Sequence, residues 1–300
     1  MLASRRGPLP HATGSRKLNS LVADAWITAA AGIAFALTPD FPLDPWGLFN
    51  PQHIVKFVFA VSVIQLTGLV LSRGLGPRMG IVITGLVGGL VSSTALTMSL
   101  ARKSRGLSED ATKIEALAYL GATLAMLIEA LLLAVIGSGS PHFQLMLLFA
   151  GPITMTLILI VKRFRLSSGE RKLPTDDTVR SRLFSLASLT AFVVIILSLC
   201  RLVQNTVGSA GVAVFTFVVS LFEMHGSVIA NLQLHEAGMI DHRLLGDLLA
   251  LSMAAAYVSK VGLVGAFGNR ELRKNVFRWT TLILLSLAAS WLAQRLLFEP

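Results

Sequence analysis

Residues 80–105 read GIVITGLVGGLVSSTALTMSLARKSR, and residues 211–236 read GVAVFTFVVSLFEMHGSVIANLQLHE. Both are mainly apolar, both begin with glycine, and both are interrupted near the middle by a short polar triplet. The triplet is Ser92-Ser93-Thr94 in the first and Glu223-Met224-His225 in the second. The two stretches are 131 residues apart, and the same offset, with no gap, lays the block from about 57 to 162 over the block from about 188 to 293. It carries Gly80 onto Gly211, Val87 onto Val218, Leu90 onto Leu221 and Gly137 onto Gly268. It also carries Glu129 onto Lys260, the two charges lying deepest inside apolar runs. Identity is low, so what repeats is hydropathy, punctuation and the position of charge. Internal repeats of this kind in a hydrophobic chain mark transporter-like membrane folds.

Composition leads to the same class. The chain is 54% hydrophobic and only 14% charged, with a mean hydropathy of +0.71, as expected of an all-α polytopic membrane protein. Its formal charge of +10 does not indicate nucleic acid, because the Lys and Arg residues fall in short loops between apolar runs, where topology and anionic lipid account for them. The single cysteine, Cys200, lies in an apolar run. It excludes an intramolecular disulfide and gives no sign of an oxidising compartment.

Nine apolar segments are expected, at about 20–38, 57–72, 80–101, 113–137, 142–161, 183–203, 210–234, 245–267 and 277–297. Before them, residues 1–19 form a basic tail that lacks the early apolar stretch of a signal peptide. Residues 20–56 hold the first helix and a Pro-rich external loop with Trp46 and Phe49 suited to the interface. Repeat 1 spans 57–162, a basic linker and the start of the next helix span 163–187, and repeat 2 spans 188–297.

If all nine segments cross, the basic loops 102–113 and 162–182 lie opposite the basic N-terminus and the charge bias disappears. If 80–101 and 210–234 instead re-enter, 21 Lys and Arg residues are cytoplasmic against four outside, with Lys260 left in the membrane. The positive-inside rule favours the second arrangement. It gives seven crossing helices and two re-entrant hairpins in an integral protein of the bacterial inner membrane, N-terminus cytoplasmic. Three crossings then separate the starts of the two repeats, so the repeats are inverted, the architecture in which discontinuous segments meet near the midplane. The alternative for 80–101 is one crossing helix whose small residues only pack against a neighbour.

The stretches LTPDFPLDPWGLFNP (37–51), RGLGPRMGIVITGLVGGLVSSTALTMSLARKSR (73–105) and VSKVGLVGAFGN (258–269) resemble the membrane domain called domain of unknown function 4010. The resemblance covers about 25 to 290, and GGLVSSTALTMSLAR is its most specific part. It implies a multi-pass membrane protein and supplies no reaction. That domain often stands behind an MgtC/SapB-type membrane domain, so the resemblance also implies an MgtC/SapB-like partner.

Glu129 and Lys260 lie eight residues before Gly137 and Gly268, about 12 Å along a helix. Measured from opposite faces of a core about 30 Å thick, both fall near the midplane. A charge there is costly unless paired or hydrated, so the two read as site residues or as a buried salt bridge that fixes register. Glu223 and His225 can relay a proton or hold a cation. Ser92, Ser93, Thr94 and Thr97 can offer hydroxyls to an ion or solute, or can bond back to helix carbonyls. His235, Glu236, Asp241 and His242 have metal-capable side chains but read as a solvated outer loop, and no metal is assigned.

No phosphate-binding glycine loop, paired-cysteine site or His-Glu-x-x-His occurs, and no cofactor is indicated. An intramembrane hydrolase using Ser93 and His225 is a remote reading. The expectation is a non-enzymatic carrier or channel for an ion or small solute, with a homo-oligomer as one option for its assembly. Its rival is a non-transporting module that binds or regulates a partner membrane protein.

Overall fold

The structure is a computed structural model that describes residues 12–41, 50–74, 80–137, 143–164, 195, 199, 202, 203, 206 and 208–298. Among these residues there are nine helices and no strand: α1 (Ala12–Leu37), α2 (Pro51–Gly74), α3 (Ile81–Ser104), α4 (Glu109–Gly137), α5 (Phe143–Phe164), α6 (Ser209–Ser220), α7 (Met224–Glu236), α8 (His242–Phe267) and α9 (Arg270–Phe298). Five of them, α3, α4, α5, α8 and α9, are long and apolar enough to cross a membrane. Helix α1 starts at Ala12, so residues 12–19 extend the first apolar helix. Trp46, Phe49, Ser138–Ser140, Cys200 and the linker from 165 to 187 lie outside the described residues.

Helix α4 is the centre. It is the most apolar of the five and the most enclosed, and Ala116, Leu120, Ala122, Ala125, Leu127, Ala130 and Leu133 are fully buried. A helix apolar on every side must be covered on every side, and α2, α3, α5, α7 and α9 cover it. Helix α9 lies at the edge, with Phe277, Leu285, Leu292 and Leu296 exposed. On a membrane-crossing helix that face meets lipid.

The first half of α3 lies directly on α4. A Cβ added at Gly85 would fall 2.1 Å from the Ala118 carbonyl oxygen, one at Gly89 2.5 Å from Ala122 Cα, and one at Gly121 2.1 Å from the Val82 oxygen. Glycine at i and i+4 against Ala118, Gly121 and Ala122 lets two backbones touch, the small-residue packing common between membrane helices. The packing of small residues against a neighbour, which the single-crossing alternative assigned to this segment, is present.

Helix α3 is not continuous. Ser92 has φ −166° and ψ 103°, extended backbone inside a helix. A Cβ at Gly88 would meet the Leu96 side chain at 3.0 Å, whereas residues eight apart in a straight helix are separated by about 12 Å along the axis. Helix α3 is therefore sharply kinked at Ser92, which brings the Leu96 side chain against Gly88. The matched position in the second repeat behaves alike: Glu223 has φ −147° and ψ 105° between α6 and α7. Thr216 Oγ1 then donates to Asn231 Oδ1 at 3.2 Å across fifteen residues of sequence. Both segments break where the polar triplets interrupt the apolar runs.

Helix ends are closed by local chemistry. Asp241 Oδ1 accepts from the Leu244 amide (2.8 Å) and Asn269 Oδ1 from the Leu272 amide (2.9 Å), capping α8 and α9. Helix α7 ends in a left-handed Gly238, φ 69°. The Gly238 amide donates to His235 O and the Met239 amide to Leu234 O, a Schellman-type closure that favours glycine.

Two tertiary joints fix which ends lie together. Asn269, between α8 and α9, donates through its side chain to Ser104 O (2.7 Å) and Thr112 Oγ1 (2.9 Å), and its backbone amide donates to Ser104 Oγ (2.9 Å). Arg105 donates to the Phe267 and Ala266 carbonyls, both at 2.8 Å. The α3–α4 turn thus lies against the α8–α9 turn. At the other joint Gly137, ending α4, packs on the Phe57 ring near the start of α2 and on Leu232 of α7.

Candidate functional site

Each helix break leaves backbone groups that the helix no longer satisfies, and hydrocarbon cannot satisfy them. At the first break the Ser92 hydroxyl accepts from the Ala95 amide at 3.2 Å. At the second the Glu223 carboxylate accepts from the His225 amide at 3.0 Å. Ser92 and Glu223, 131 residues apart, therefore hold the same backbone conformation and each caps the helix that follows. One cap is a neutral hydroxyl and the other a carboxylate.

The two breaks line one cavity of about 340 Å³. Helix α3 contributes Ser92, Ser93 and Thr94, the α6–α7 turn contributes Glu223, the first turn of α7 contributes His225, α4 contributes Met126 and Glu129, and α8 contributes Lys260. Seven of the eight candidate residues read from the sequence are in this wall. Thr97 is not: it is fully buried, and its hydroxyl donates to the Ser93 carbonyl at 2.7 Å. Ser93 is nearly buried as well.

His225 is the hub. Its Nδ1 lies 3.1 Å from Glu223 Oε1, and its Nε2 lies 3.6 Å from Glu129 Oε2 and 3.5 Å from the Met126 carbonyl oxygen. A neutral imidazole donates through one nitrogen only. With oxygens on both sides, either the ring carries a second proton or one of the carboxyl groups does. The three side chains stand in a row, Glu223–His225–Glu129, with Glu129 5% and His225 15% exposed at the side chain.

Lys260 is 2% exposed. Among the described residues its ammonium has no carboxylate within ion-pair distance. It donates to the Met126 thioether at 3.0 Å, a weak acceptor. The Glu129–Lys260 salt bridge considered from the sequence is not formed: Glu129 meets His225 of the opposite repeat instead.

A family model described as "Domain of unknown function (DUF4010)" matches residues 59–268. The chain belongs to the DUF4010 family. The matched DUF4010 region includes both helix breaks, Glu129 and Lys260. No curated protein and no solved structure matches the chain.

Several wall residues escaped the sequence reading. Gln65 and Ser259 also line the cavity, as do Ser220 and Met126. Gln65 had a signal, a lone amide in the apolar run FVFAVSVIQLTG. Met126 had none, since an apolar residue in an apolar helix is unmarked. The outer-loop cluster does not gather as one site: His235 and His242 rings are 4.3 Å apart, Glu236 faces His53 at 3.2 Å, and Asp241 caps α8. Among the described residues no group of three or more His, Cys, Asp or Glu side chains could hold a metal.

Proposed function

We propose that this DUF4010 protein is a membrane carrier or channel for an ion or small solute, with its binding site where two re-entrant hairpins meet. The observation that carries the reading is the shared cavity: two helix breaks at matched repeat positions face one polar space that also holds two buried charges of opposite sign. Breaks of this kind in transporters present half-helix ends to the substrate near the midplane.

Helix-end contacts support re-entry by parity. The ends of α4 and α2 that meet through Gly137 and Phe57 are separated by α2, α3 and α4, so they lie on one face if α3 returns to the face it left. The α3–α4 and α8–α9 turns that meet through Asn269 are separated by α4, α5, the apolar segment 183–203, α6–α7 and α8. They lie on one face if α6–α7 also returns. The hairpins then enter from opposite faces, and the repeats are inverted. The charge bias orients the protein with its N-terminus and the α3–α4 turn in the cytoplasm of a bacterial inner membrane.

In this reading the Glu223–His225–Glu129 chain takes up and releases the coupling proton. A hydrolase is not favoured, because the His225 nitrogens face Glu223, Glu129 and the Met126 carbonyl, not Ser93. Flux into proteoliposomes, screened over common ions and metabolites, tests the proposal. Glu223→Gln is expected to abolish or uncouple flux with expression and oligomeric state unchanged. A null result across the screen would favour the partner-binding module.

A further inference from the structure

Resting on the carrier reading, we infer that the solute is a small monocarboxylate held between the Ser92–Thr94 break and Lys260. The 131-residue offset pairs Ser92 with Glu223, Thr94 with His225 and Lys260 with Glu129. In one half the positions are filled: the Glu223 carboxylate caps the α7 N-terminus, and His225 bridges it to Glu129. In the other half the same backbone geometry carries two short hydroxyl side chains, and the charge that shares their cavity wall is an ammonium. There the Ser92 hydroxyl caps the helix by accepting from the Ala95 amide, and no carboxylate does so. A carboxylate from solution completes the set, accepting from the N-terminus of the twelve residues of α3 beyond the break and from Lys260.

Lys260 supplies the independent evidence of a ligand. It is buried, it lines the cavity, and among the described residues its only acceptor is a thioether. The Ser220 hydroxyl in the same wall is 2% exposed and has no hydrogen-bond partner. Glu223 and Glu129 in the same wall face His225, which leaves one ammonium and one helix N-terminus to balance one negative charge, and a dianion would leave a charge unmatched. The volume of about 340 Å³ equals that of about eleven water molecules, which limits the solute to roughly a dozen non-hydrogen atoms and takes a short-chain monocarboxylate with room to spare. Val61, Val91 and Ala256 in the wall accept a short aliphatic tail.

The test uses the full chain in detergent, with propionate as probe and with propionamide, chloride and choline as controls at constant ionic strength. Propionate is expected to raise the thermal midpoint in a saturable way, and the three controls are not. Lys260→Met is expected to weaken the apparent affinity at least about tenfold, and Lys260→Arg to keep most of it. Ser92→Glu builds the missing carboxylate into the chain, so it is expected to raise the midpoint without ligand and to abolish the response to propionate. Unchanged responses in both Lys260→Met and Ser92→Glu overturn the site, and an equal response to chloride or propionamide overturns the carboxylate assignment. Propionate binding without flux leaves the site standing and removes the carrier. Cation flux with propionate inert removes the anion and leaves the carrier.

Discussion

Replacing Glu129 by Gln, alone and together with a change at His225 or at Lys260, separates the partner seen in the structure from the one suggested by symmetry. His225 Nε2 and Glu129 Oε2 are 3.6 Å apart, and unit charges at that distance attract by about 4.6 kcal/mol in an effective dielectric of about 20. Desolvation of two buried groups takes back much of this. The expected coupling is about 2 kcal/mol, within the range of about 0.5–3 kcal/mol for residues in contact. Lys260 has no carboxylate at ion-pair distance among the described residues, so its coupling to Glu129 should stay below about 1 kcal/mol. Thermal midpoints of the purified variants in detergent read the cycle, at roughly 2–4 °C per kcal/mol for chains of a few hundred residues. Glu129→Gln and His225→Gln should each lower the midpoint, and the double variant should recover roughly 4–8 °C of the summed loss. Recovery in the Glu129→Gln, Lys260→Met pair, with additive losses in the His225 pair, would refute the assignment.

Three further outcomes follow from the packing and from the outer charges. Gly85→Ala and Gly121→Ala each place a Cβ 2.1 Å from a carbonyl oxygen of the facing helix, so both should sharply lower the folded yield by size-exclusion chromatography; Gly262→Ala and Gly265→Ala, with nothing within 4 Å, should be silent. Asn269→Ala removes the amide that joins Ser104, Thr112 and Leu272 and should cost about 2–4 kcal/mol, seen as a lower midpoint. Burial raises the Glu236 carboxyl above its ordinary 4.5, against the pull of His53 and Lys56. The folded state then holds that proton more tightly than the unfolded state, so ionisation costs stability as pH rises above 4.5. Glu236→Gln should therefore raise the midpoint near neutral pH and lose that advantage below 4.5.

What the sequence revealed and what it hid follow from the kind of signal each residue carries. A polar triplet in an apolar run is visible without a structure, and the offset placed Ser92 over Glu223, the two residues whose backbone is extended. The partner of Glu129 was not visible. Repeat symmetry suggests its mate Lys260, but contact depends on the direction each helix gives its side chains, and it is His225 of the other repeat that faces Glu129. Thr97 looked like a further ligand because hydroxyls cluster there. Its position four residues after Ser93 instead lets it bond the helix carbonyl. The helical start at Ala12 was missed because hydropathy does not register a polar helical turn.

The most direct measurement is the sidedness of the α3–α4 turn relative to the α7–α8 turn. Single cysteines at Ser108 and Gly238, in a Cys200→Ala background, can be labelled with an impermeant maleimide in intact cells and again after permeabilisation. Two re-entrant hairpins put Ser108 in the cytoplasm and Gly238 outside, so only the Gly238 cysteine should label in intact cells. If every apolar segment crosses, the two positions share a face. Labelling of both from outside would contradict the account.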